Sequence, residues 1–99
     1  MRTIKELLIL LTKYYKGAPY TGICNTVNGM EDSGLISFQE FQELNTYLKA
    51  NKPSSSLHAE FFDVSEKPFG YWWPIKSTLE QDVVQVRMNY LDYLINETH

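Results

Sequence analysis

The chain has one cysteine, Cys24, among its 99 residues. No intramolecular disulfide can form, and paired-cysteine metal motifs are absent. Lysine and arginine never cluster beyond a pair and the net charge is −3, so the basic stripe needed to track nucleic-acid phosphates is missing. Bulk nucleic-acid binding is excluded on that ground, although one or two arginines can still hold a small anion. Long apolar runs are also lacking. The longest near the start, Leu7 to Leu11, is bounded by Glu6 and Lys13 and is too short for a bilayer span. It has no small-residue cleavage site after it, so a signal peptide is not expected and the cytoplasm is. No glycine-rich phosphate loop occurs, and the carboxylates are scattered. His58 and His99 are the only histidines, too few for a metal site. No catalytic constellation, metal or cofactor is expected, and the reading is non-enzymatic.

What is present is an ordinary apolar share of 43% with a high aromatic share of 14%, seven of those rings being tyrosines. This length and composition fit one globular domain over residues 1–99 with one modest core. In so small a protein some of the rings should lie at the surface, where tyrosine and tryptophan make good contact residues.

The periodicity predicts a mainly α fold of about four helices, with room for a short β-hairpin around 57–73. The first helix opens on a capping box, Thr3 with Glu6. At about 100° per residue its apolar face collects Ile4, Leu7, Leu8, Leu11, Tyr14 and Tyr15, while Ile9 alone falls on the polar side. Gly17 and Pro19 end it. A second helix is expected over Thr21 to Met30, stopping near Ser33 and Gly34. A third starts at the capping box of Ser37 and Glu40, buries Phe38, Phe41, Leu44 and Leu48, and stops before Pro53. Leu57 to Val64 and Phe69 to Trp73 have the aromatic and β-branched content of strands. The last helix is expected from the Ser77 and Glu80 capping box to about Ile95. Its apolar arc is Val83, Val84, Met88, Tyr90, Leu91, Leu94 and Ile95.

One residue breaks the last pattern. Arg87 projects between Val83 and Leu91, where the helix should present hydrocarbon. A guanidinium there stays charged and must find acceptors. It could pair with a carboxylate (Glu40, Glu43, Glu60 or Asp63), stack on Trp72 or Trp73, or hold an anionic ligand in a cleft. The first two make it a tie within the fold, and the third makes it a binding residue. Two other signals point to simpler explanations. Gly29 to Phe41 imitates the second half of a calcium loop, but its first ligand position would fall on Gly29, which has no side-chain oxygen. A glycine helix stop followed by a capping box accounts for the same letters. Cys24 with His58 lacks an orienting third group, and a small core residue is the plainer reading.

Several short motifs follow one another along the chain: Gly22-Ile23-Cys24, an acidic helix leading to Tyr47-Leu48, Asn51-Lys52-Pro53, Tyr71-Trp72-Trp73-Pro74, and Arg87 followed by Tyr90-Leu91. Over residues 1–95 this order resembles a family of small accessory proteins of tailed bacteriophages, with a longer interval here between Pro74 and Arg87. The resemblance implies a non-structural protein of the host-cell cytoplasm that blunts host defence. It would do so by sequestering a nucleotide-derived signal or by binding a host protein. In the first case Tyr71, Trp72 and Trp73 would stack a base beside Tyr90, and Arg87 would hold phosphate in a concave site of a homo-oligomer. The alternative is an inhibitor of a host defence or metabolic enzyme, which needs a flat or convex apolar patch instead.

Overall fold

The computed structural model describes residues 1–17, 22–51 and 81–98, and among these helix is the only regular secondary structure. The elements in chain order are α1 (Ile4–Lys16), α2 (Ile23–Asp32), α3 (Phe38–Ala50) and α4 (Gln81–Glu97). The expected mainly α architecture is therefore observed. The hairpin expected around 57–73, and the Ser77 and Glu80 cap of the last helix, lie outside the described residues.

Both capping boxes within the described residues form. The Thr3 hydroxyl accepts from the Glu6 backbone N–H while Glu6 accepts from that of Thr3. Ser37 and Glu40 repeat the exchange at α3. Each pair satisfies two donors that a helix start otherwise leaves unbonded. Gly17 caps α1, whose last turn carries Lys13 and Lys16 where the helix dipole favours cations. After α2 the chain turns at Gly34, whose φ of +80° is the left-handed conformation that favours glycine. Its neighbours Leu35 and Ile36 then donate back to the Met30 carbonyl.

The core is built from one face of each helix. Leu7, Leu8 and Leu11 of α1 meet Ile23, Val27 and Met30 of α2, Leu44 and Leu48 of α3, and Leu91 and Leu94 of α4. Two threonines are buried with them because each hydroxyl donates to the carbonyl four residues back, Thr12 to Leu8 and Thr26 to Gly22. α1 is the hub, in contact with all three other helices. Gly29 gives α2 a close approach, since a Cβ there would stand 3.3 Å from the Tyr14 hydroxyl.

One expectation needs correction. Phe38 is not buried with Leu44 and Leu48; it is 61% exposed. As the first residue of α3 it lies about 120° around the helix from Leu44, beyond the edge of the buried arc. The last helix ends at Glu97, within two residues of the expected stop, and the Thr98 backbone N–H donates to the Leu94 carbonyl. Ile9, as expected, is on the outer face of α1 and exposed.

Candidate functional site

Arg87 is carried on α4, one turn before Leu91, and is only 1% exposed. Its Nη1 donates to the Tyr15 hydroxyl at 3.2 Å, a buried bond between positions 72 apart in sequence. Tyr15, in the last turn of α1, is itself fully buried. The long stem of the arginine packs among hydrocarbon while its head group reaches a phenol oxygen. α4 is therefore joined to α1 by a polar contact inside the core.

Of the two described carboxylates that could have faced Arg87, Glu40 is engaged elsewhere. It accepts from the Arg2 backbone N–H at 3.1 Å and from Arg2 Nη1 at 3.0 and 3.2 Å, besides capping α3 through Ser37. The Ser37 backbone N–H above all, and then that of Arg2, hold its carboxyl at about 2, well below the ordinary value. Arg2 and Glu40 thus tie the start of α1 to the start of α3. Glu43 borders a shallow groove with Ile4, Gln42, Thr46 and Tyr47.

Tyr90 follows Arg87 by three residues and is half-buried against the core. Burial raises its phenol pKa above the ordinary value, with Tyr47 and Tyr93 adding to the effect, so it remains a neutral hydroxyl. Tyr47 bonds Thr98 at 2.8 Å. Because the Thr98 hydroxyl donates to the Leu94 carbonyl, the proton shared with Tyr47 must come from the tyrosine. Arg87 thus meets the end of α1, and Thr98 meets Tyr47, which shares a groove with Ile4 at the start of α1. α4 therefore runs back along α1 in the opposite sense.

The other proposed binding residues, Tyr71, Trp72 and Trp73, lie outside the described residues, as do Glu60 and Asp63. What sequence reasoning missed was the partner of Arg87 on α1. A signal existed: a tyrosine in an apolar stripe needs a bond for its hydroxyl, so a core arginine and a core tyrosine should be sought together.

A second feature, also missed, lies on the surface. Phe38 stacks on Phe41 with ring centroids 6.1 Å apart and planes at 23°. Phe41 in turn forms one wall of a depression of about 280 Å³ shared with Asn25, Asn28, Glu31 and Asp32. Among the described residues no three His, Cys, Asp or Glu side chains gather as a metal site would require, and no helix is long and apolar enough to cross a membrane. Residues 29–32 belong to α2, so the segment that imitates a calcium loop is a helix end followed by the α3 cap. Comparison with protein-family models, curated proteins and solved structures gives no match.

Proposed function

We propose that this chain is a non-enzymatic accessory protein that acts by binding another protein. Its contact surface is centred on the aromatic pair at the start of α3. The observation that carries this reading is the Phe38 ring, more than half exposed and stacked on Phe41 at the mouth of an open depression. An aromatic ring of this kind left in water costs solubility unless a partner covers it, and aromatic anchors dominate the energetics of protein contacts. The resemblance to phage accessory proteins supports a host defence or metabolic enzyme as that partner, in the host cytoplasm. The test is site-specific photocrosslinking in host cells, with p-benzoylphenylalanine in place of Phe38 and, separately, of the exposed Asp92 on α4. A discrete adduct from position 38 that is absent from position 92 is expected. Adducts identical at both positions, or none at position 38, would refute the reading.

A second reading is favoured by Arg87. A permanent cation withdrawn from water beside Tyr15, with Tyr90 a turn away, is a setting in which a contact to an anion is strong. Here the chain captures a small anionic, nucleotide-like signal, with Arg87 on phosphate and Tyr71, Trp72, Trp73 and Tyr90 around the base. Native mass spectrometry of protein purified from infected cells, followed by denaturation, would reveal a released ligand. Protein that comes out empty and also ignores a nucleotide panel removes this reading.

A further inference from the structure

The charge of this protein is segregated. Residues 1–17 carry four cations, Arg2, Lys5, Lys13 and Lys16, against one carboxylate, while residues 22–51 carry four carboxylates against the single cation Lys49. Internal pairing consumes Arg2 and Glu40. Lys5, Lys13 and Lys16 remain exposed on α1. At about 100° per residue they fall within an arc of about 80° that is centred on Ile9. The outer face of α1 is thus an apolar side chain, 38% exposed, bracketed by three ammonium groups.

The notch between α2 and α3 has the complementary chemistry. Phe41 supplies an apolar wall with the Phe38 ring stacked on it, and Glu31 and Asp32 line the notch beside Asn25 and Asn28 without an ion-pair partner among the described residues. These two carboxylates occupy the last turn of α2, which contains no basic residue. The helix dipole already concentrates negative potential at that end and favours a cation there. α2 therefore presents a negative field at its own expense, near the exposed Phe38 ring, and an aromatic face attracts ammonium groups.

We propose that the notch receives the Lys5–Ile9–Lys13 face of a second copy of this chain. Ile9 seats against Phe38 and Phe41, and the lysines meet Glu31 and Asp32. Each copy offers one face and accepts the other. The contact rests on the reading of the aromatic pair as a docking surface and names what occupies it in the free protein; a foreign partner would displace it by competition. With exposed ion pairs at the rim, the association weakens as salt rises.

The experiment is sedimentation velocity from low to high micromolar protein at low and high salt, on the full chain and on two charge-reversed variants. One carries Lys5→Glu and Lys13→Glu, the other Glu31→Lys and Asp32→Lys. The wild type should sediment faster as concentration rises, and 0.5 M salt should suppress the change. Each variant alone should stay monomeric while keeping its helical circular dichroism, and an equimolar mixture should associate again, because each reversed face now fits the other. A monomeric wild type at every concentration overturns the proposal and leaves the photocrosslinking result at Phe38 untouched. Association that survives both reversals, or a mixture that remains monomeric, overturns it equally.

Discussion

Replacing Tyr15 with phenylalanine removes one oxygen from the core and almost nothing else. The ring, its volume and its packing at the end of α1 persist, but Arg87 Nη1 loses the acceptor it meets at 3.2 Å. A hydrogen bond to a charged group contributes roughly 1.5–3 kcal/mol. This one is at the long end of the usual N–H···O range, so the lower part of that interval applies. At about 4–8 °C per kcal/mol for a domain of this size, a loss near 1.5 kcal/mol lowers Tm by roughly 6–12 °C. The companion substitution is Arg87→Met, which keeps much of the stem and discards the charge. Replacing both members of a buried interacting pair by hydrocarbon is often close to neutral, whereas removing one strands the other, so the double variant should be less destabilised than the sum of the two single variants. Urea titrations of the wild type, both single variants and the double variant close a thermodynamic cycle. A coupling of at least about 1 kcal/mol is expected between side chains in direct contact. Tyr15→Phe within about 0.5 kcal/mol of wild type, or strictly additive effects, would show that the bond between α1 and α4 contributes nothing to stability.

Acid should act through Glu40. Its carboxyl is held at about 2 in the folded protein and titrates near the ordinary carboxylate value when unfolded, so its contribution is intact above that ordinary value and fades as pH falls toward 2. Glu40→Gln should therefore flatten the fall of Tm between about pH 4.5 and pH 2, measured by calorimetry; an unchanged acid limb would contradict the assignment. The two glycines flanking the end of α2 should respond with opposite sign. Gly34→Ala forces a side chain into φ +80° and should destabilise by about 1 kcal/mol. Gly29→Ala gains helix propensity of up to about 1 kcal/mol against a contact with the swinging end of Tyr14, and chemical denaturation should find it neutral to slightly stabilising. Equal losses at both positions would refute the comparison.

Local rules carried the sequence reading furthest. Thr3 with Glu6, and Ser37 with Glu40, placed two helix starts because a capping box needs only four consecutive residues. The Ser33–Gly34 stop was equally local. The polar contacts that assemble the helices were not legible. Arg2 and Glu40 are 38 positions apart, and Tyr15 and Arg87 are 72 apart, with nothing in either neighbourhood to name the partner. Arg87 stood out because a cation in an apolar arc is costly, yet the same signal fits a core tie and a binding residue alike. Phe38 was misplaced because hydrophobicity was weighed without its angular position at the first turn of α3. The exposed ring that resulted is the more informative surface feature.

The two polar joints on α1 differ in kind. The one at its beginning depends on a carboxylate that protons can neutralise. The one near its end is a bond between a phenol and a guanidinium. Acid therefore weakens the tie between the first and third helices, while the hydrocarbon they share in the core is untouched by protons.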